Sequence, residues 1–579
     1  MVHERQHRSR SRHRSIAEHP RRGIRRNFRL IAYLLLTALL ILSIPGTTTL
    51  VFASAPSFST TIDLSSNQGT SSYPQIAASA GYQYVVWQDD TPGRPNTFFR
   101  AGNHNGTSFG PTLDLSPGTG WSQNPQVAAS GNSVYAVWQD NSTGTFNILV
   151  RASFNNGASF GPIINLDALR LDSTVPQVAA SGNNVYVVWQ QTASKNMAVY
   201  FAWSNNGGTS FTAINLSNDA GNALSPQVAA SGNNVYVVWR DNTPGNDEVF
   251  FAVSTTSGTS FATTVNLSNN AGESFNPDIA ISGTNVYVAW PDNTPGNFDI
   301  LFRASTNGGA TFTPSLSQPA ANLSNNPGGS IEPQLATSGN GVCLSWRDST
   351  LGNSQIFFRS SSNNGATFTP VVNLSNDAGS AYNAHLAMVN TDVYVAWADT
   401  TPGVEDVLLA SSTDGGLSFG SPINLSNDSG FSLNPALVAT NVSVYVTWQD
   451  DTPGNYDVFF KIGTLFTIMA PQGNAQSVLT PENKSVTITL TGSDPQGLAL
   501  NFYVVSGPTH GVLGTMTSTG PTSAQVTYTP NSNYWGQDSF TFKVGNSWLN
   551  STAAAASIVV QPAITSTSGT GGGRFPLPK

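Results

Sequence analysis

The stretch "NVYVAWPDNTPG", residues 285–296, decides how this chain folds. In its first six residues both alternating sets are apolar: Val286, Val288 and Trp290 on one side, Tyr287 and Ala289 on the other. β-Branched and aromatic residues favour a strand, and a strand that is apolar on both faces must be covered on both. The polar run that follows is turn chemistry: Asp bonds the turn backbone, Pro presets φ and Gly accepts a positive φ. The phrase recurs. Trp87, Trp138, Trp189, Trp239, Trp290, Trp346, Trp397 and Trp448 each close a similar strand, at spacings of 51, 51, 50, 51, 56, 51 and 51 residues. The long interval carries an insertion around "SLSQPAANLS" (315–324).

Each unit holds four strand-like runs. Around Trp290 they are "PDIAIS" (277–282), "NVYVAW" (285–290), "DILFRAS" (299–305) and "AANLS" (320–324). Four-stranded units of about 50 residues, apolar on both faces and repeated, predict a β-propeller. The last unit, from Pro435, has three runs and lacks the fourth, whereas "TIDLS" (61–65) is a fourth run that precedes every complete unit. The expectation is therefore an all-β chain: an eight-bladed β-propeller over 59–466, its last blade closed by the N-terminal strand. Short strands at 468–562, including "SDPQGLALNFYVVSGPTHGVLG" (493–514) and "YTPNSNYWGQDSFTFKV" (528–544), resemble bacterial Ig-like or cadherin-like modules, and predict an Ig-like β-sandwich. Residues 563–579 read as a flexible Gly/Ser/Thr tail.

The first 55 residues are different. Ten Arg against Glu4 and Glu18 give residues 1–29 a net of +8, and "LIAYLLLTALLILSI" (30–44) follows without charge, then "VFASA". This is the pattern of a secretory signal, with an uncleaved membrane anchor as the alternative. Either places the rest outside the cytoplasm, as an extracellular or cell-surface protein. The remaining chain has 14 basic and 30 acidic residues, a net of −16 against −8 for the whole. That charge argues against nucleic acid and anionic membrane as partners. Membrane contact would come only through a retained N-terminal segment. The one cysteine, Cys343, replaces a core residue in "GVCLSW", so no disulfide framework exists.

Seven units carry an octapeptide ending in Phe between their third and fourth strands, among them "SNNGGTSF" (204–211), "STNGGATF" (305–312) and "STDGGLSF" (412–419). They resemble the Asp-box, or BNR repeat, of sialidases and other secreted propellers. The resemblance assigns structural roles to Asn206, Gly208, Phe211, Asn307, Gly309, Phe312, Asp414, Gly416 and Phe419. It also places these turns on the propeller face away from the active site. Only Asp414 keeps the Asp; Asn stands at 206 and 307.

A sialidase-type glycosidase would need three Arg for a substrate carboxylate, a Tyr activated by Glu, and an acid. The family's R-I-P motif is absent here. Arg100, Arg151, Arg303 and Arg359 repeat at one structural position, while Arg240 and Arg347 follow Trp directly and point to the other face. Glu248, Glu273, Glu332 and Glu405 fall in the loops expected on that face, as does Tyr382.

That face carries a ring of aspartates, including Asp89, Asp241, Asp292, Asp399 and Asp450. One reading is a Ca²⁺ rim, since carboxylates with amide and carbonyl oxygens suit hard cations; the other is a turn cap. No other cofactor is implied. Residues that break the repeat mark a ligand site: Trp121, Arg240, Glu273, Glu332, Arg347, Tyr382 and Phe431. Exposed aromatics beside acids and amides suit a glycan. The reading that results is a non-catalytic binding protein for carbohydrate or for a cell-surface or matrix protein. A sialidase-type hydrolase and a structural component of a surface layer are the alternatives.

Overall fold

The computed structural model describes residues 56–563 except 104–105, 168–170, 194–195, 219, 402, 465–469, 496 and 547–548. The basic leader, the apolar run and the tail beyond 563 lie outside the described residues. Among those described, the named elements are all strands, and no helix is long and apolar enough to cross a membrane.

The unit around Trp290 is one antiparallel sheet, Asp278–Ser282, Asn285–Asp292, Asp299–Ser305 and Ala321–Asn322 in that order. The described residues between 57 and 464 form sheets of this kind, eight in all, packed one on the next in the manner of a propeller. Seven follow chain order. The eighth joins both ends of the propeller sequence: Ser57–Phe58 and Ile62–Asp63 both pair with Asp457–Thr464.

The double apolar face of the second strand explains the stacking. Val286, Val288 and Trp290 pack on Tyr236, Val238, Val249 and Phe251 of the preceding sheet. Tyr287 and Ala289 pack on Val342, Leu344 and Trp346 of the following one. The same contact joins last to first, where Val458, Phe460 and Ile462 meet Leu64, Val85 and Trp87. Backbone bonds repeat the message: Ser122 N donates to Pro95 O, Ser330 N to Phe298 O and Ser71 N to Tyr456 O, the last across the junction.

The fourth strands are shorter than expected, two paired residues in most sheets. The cause lies in N-L-S itself. Asn322 and Ser324 turn their side chains onto Asp299 at 2.7 and 2.9 Å, and Leu323 drops into the core, so local side-chain bonds replace the ladder. Glu248, expected in a loop, occupies the matching position at the head of a third strand, buried and accepting from Asn246 and Asn270 N.

The repeated arginines fasten neighbouring sheets. Arg100, Arg151, Arg303 and Arg359 donate to the carbonyls of Leu64, Leu115, Leu267 and Leu323, each in the preceding sheet's outer run. Lys461 does the same to Leu425. Cys343 is buried, and burial pushes its thiol up to about 12, as expected of an inert core residue.

The C-terminal strands form a two-sheet sandwich, including Val486–Ser493 and Ser523–Pro530 in one sheet and Gly536–Gly545 and Ala554–Gln561 in the other. Ile488, Leu490, Val526, Tyr528, Phe540, Phe542 and Ile558 fill its core.

Leu64 is fully enclosed at the junction, and Leu64 N donates to Val458 O at 2.7 Å. Leu64→Ala should cost about 2–5 kcal/mol by the usual cavity scale. Urea titration of the full chain checks this: an unchanged midpoint would mean the N-terminal strand does not hold the last sheet.

Candidate binding face

Antiparallel sheets put alternate loops at opposite ends. At one end the octapeptides lean on the first turn of their own sheet, as where Gly308 N donates to Thr284 O. Ser305 Oγ donates to Asn307 Oδ1 at 2.9 Å and accepts from Gly309 N; Thr311 N donates to Asn307 Oδ1. Asn307 also donates to Thr311 Oγ1, whereas Asp414 accepts from Ser418 Oγ at 2.5 Å, so Asn and Asp close the same turn with reversed polarity. Gly309 has a φ of +83°, and a Cβ there would lie 2.5 Å from the Phe251 ring. Phe312 meets Phe251 edge-on at 5.1 Å, and Phe419 meets Phe358 likewise at 4.8 Å. Further bonds tie these turns to the preceding sheet, where Asn156 accepts from Tyr84 and Asn364 from Asn285 and Tyr287.

At the other end, the aspartates after Trp do not form an open rim. Asp89, Asp241, Asp292, Asp399 and Asp450 are each at most 1% exposed. Asp292 accepts from Trp290 Nε1, Ser274 Oγ, Asn270 Nδ2 and Thr294 N, tying its own strand and turn to the 270–274 loop. Burial would raise the carboxyl of Asp348, but bonds from Thr350, Asn326 and Ser330 outweigh it and hold it below the usual range. Among the described residues no group of three or more His, Cys, Asp or Glu is placed to hold a metal.

The pattern changes in the last sheets, where Asp replaces the Asn that donates elsewhere. Asp428 lies against Asp450; burial and that neighbour push Asp428 up to about 6. Its matching residues Asn67, Asn270 and Asn326 are donors.

The innermost strands carry a second regularity. Tyr73, Asn124, Val175, Ser225, Asn276, Glu332, Asn383 and Asn434 all have positive φ, between 41° and 58°. Seven of these precede Pro, a context that disfavours such backbone, and for Val175 it is costly in itself. Bonds across and within sheets hold it. Tyr73 N and Asn434 Nδ2 both donate to Gln449 Oε1 at 3.0 Å, and Asn383 Nδ2 donates to Asn434 Oδ1. Val175 N donates to Gln139, and Ser225 N to Gln190. Further along the same strands Asp278 and His385 replace glutamines, each accepting an N–H from an adjoining sheet. Burial pushes Asp278 up to about 6 and His385 down to about 4.

Around this rim sit the residues that break the repeat. Trp121, Glu273 and Phe431 occupy one equivalent position, the backbone N–H of each pinned to Asn141, Asn293 or Asp451 at 2.7–2.8 Å. Their side chains are left outside; Trp121 is 54% and Phe431 45% exposed. Arg240 pairs with Asp247 at 3.2 Å, whose N–H is held by Glu273. Arg347 grips Glu332 through two bonds of 2.7 and 3.0 Å. Tyr382 lies against Glu405; burial, then this carboxylate, push the phenol up to about 12. Sequence reasoning missed Tyr73, 52% exposed, and Tyr456, which neighbours Glu405.

Residues 469–559 match the bacterial Ig domain family. No curated protein matches the chain. Among solved structures, a polysaccharide lyase, an ulvan lyase bound to -[GlcA(1-4)Rha3S]-, is similar at 11% identity and TM-score 0.41, over 69% of this chain and 96% of that one. The polysaccharide lyase Uly1 is similar at 8% and 0.42, over 75% and 95%. A Trypanosoma rangeli sialidase mutant displaying trans-sialidase activity is similar at 10% and 0.33, over 89% and 92%. Likeness at this level transfers none of these activities.

Asp428→Asn should raise stability at pH 7. A carboxyl raised above its unfolded value of about 3.9 weakens the fold as pH climbs through the folded value. The gain in melting temperature should therefore shrink as pH falls to 4. A gain that is equal at both pH values would disprove the Asp428–Asp450 repulsion.

Proposed function

We propose that this chain is an exported, eight-bladed propeller that binds carbohydrate on the face opposite the octapeptides, without catalysis, and carries an Ig-like module. The observation that supports this most is the shared position of Trp121, Glu273 and Phe431. Its backbone is fixed by the scaffold while its side chain is exposed and varies from sheet to sheet. Exposed rings beside carboxylates and amides suit sugar stacking and hydroxyl recognition. Export rests on the leader at 1–55. The buried aspartates are read as internal caps, and calcium has no part in this reading.

The Tyr382–Glu405 contact favours a second reading, a sialidase-type glycosidase. Against it, Arg240 and Arg347 are both engaged by carboxylates, and the repeated arginines bond backbone carbonyls on the other side. A matrix or cell-surface protein partner is the third.

A glycan array and a fluorogenic sialoside assay on the same preparation separate these. Glycan signal without turnover is expected, lost on Trp121→Ala and Phe431→Ala together and unchanged by EDTA. Turnover would establish the glycosidase reading, and silence in both assays would favour the protein partner.

A further inference from the structure

We infer that the ligand is an uncharged glycan, held by the sector of the rim formed by the seventh, eighth and first sheets; this rests on the carbohydrate-binding reading above. The rim is not uniform, and its charge and its aromatics are distributed in a way that selects a ligand class.

The basic residues that follow Trp are spent, whereas Arg94, half-buried in the first sheet's rim loop, forms no ion pair among the described residues. Arg240 and Arg347, the two that follow Trp, face Asp247 and Glu332. Those ion pairs lie in the fourth and sixth sheets, where Glu273 also turns back to cap the backbone of Asp247. An acidic sugar arriving there would have to compete with a carboxylate already bonded in place.

The aromatic residues collect in the other sector. Tyr382 leans on Glu405, whose carbonyl accepts Ser432 N at 2.6 Å, so that Phe431 stands beside it. Tyr456 follows on the next sheet, within reach of the charges of Glu405 and Asp451, and its carbonyl accepts Ser71 N, which brings Tyr73 alongside. Two rings, Tyr382 and Tyr456, thus lie by one carboxylate, with Phe431 and Tyr73 on the adjoining backbone, and Glu405 has no Lys or Arg partner among the described residues. Rings offer stacking surface to a sugar face, and a carboxylate accepts from hydroxyls. The same carboxylate, with Asp451 nearby, repels a sialic or uronic acid. The net of −16 on the chain after residue 55 acts in the same direction at longer range.

The test is isothermal titration of the full chain with a neutral glucan or mannan oligosaccharide, an N-acetylated neutral oligosaccharide, and sialylated and uronate oligosaccharides. A neutral ligand is expected to bind at least tenfold more tightly than the acidic ones. That binding should change less than twofold between low and high salt, and fall at least tenfold in Phe431→Ala and in Tyr456→Ala. Glu405→Gln, which keeps the shape and removes the charge, should narrow the gap between neutral and acidic ligands. Acidic glycans that bind more tightly, with loss on the ring variants, would overturn the inference and leave the carbohydrate reading standing. So would neutral binding that depends on Trp121 and ignores Phe431 and Tyr456. Absence of binding to every glycan, in a chain whose melting curve is intact, would overturn both.

Discussion

Trp290 and its seven counterparts are at most 1% exposed, and a side chain of that size is enclosed only when another sheet covers it. Because the strands bearing these residues are apolar on both faces, no sheet in the repeat is content with one neighbour. A linear stack would leave a bare apolar face at each end, and a sheet edge with it. The remedy is residues 57–65, which cross to the last sheet and turn the stack into a continuous circuit of contacts. Everything else on the scaffold reinforces that circuit. The arginines reach the preceding sheet's carbonyls, and the aspartates after Trp tie indole, turn and adjoining loop to one carboxylate.

Much of this was legible in the sequence because it rests on local chemistry. The alternation in "NVYVAW" and the stray "TIDLS" fixed the packing and the junction without knowledge of any contact. The aspartates were legible in kind but open in role. Trp290 and Asp292 stand two residues apart, hence on one side of a strand, and that spacing already favours an indole bond over an outward ligand. Glu248 was misplaced because its role depends on a partner strand 20 residues on, where Ser268 and Asn270 meet it. The left-handed residues before Pro ran against the local rule altogether; bonds to a neighbouring sheet hold Tyr73, Val175 and Ser225, and bonds within the sheet hold Asn124, Glu332 and Asn434.

The candidate site was legible as a set of exceptions and not as an arrangement. Trp121, Glu273 and Phe431 stood out as breaks, yet nothing in the sequence said that they share one position or that their backbones are fixed alike. Tyr382 and Glu405 are brought together by a sheet register that pairs Tyr382 with Ala398, a relation that no spacing encodes. Tyr73 and Tyr456 escaped notice because each sits inside a phrase that otherwise repeats well.

These two kinds of position explain how a repeated scaffold carries a singular site. Where a side chain holds the frame, as Asp292 does, the same or a closely related residue recurs, since a change leaves buried donors without partners; the arginine position is looser, with Ala202, Ala252 and Ala410 in three sheets. Where only the backbone is held, the side chain is released from structural duty, and Thr70, Trp121 and Phe431 can follow one another around the rim at little cost to the fold. A ring built this way offers several sectors of different chemistry on one rigid frame. The fourth and sixth sheets carry paired charges, whereas Tyr382 of the seventh and Tyr456 of the eighth lie by a carboxylate. On the proposed reading, specificity follows from which sector a ligand can approach without facing an unanswered charge.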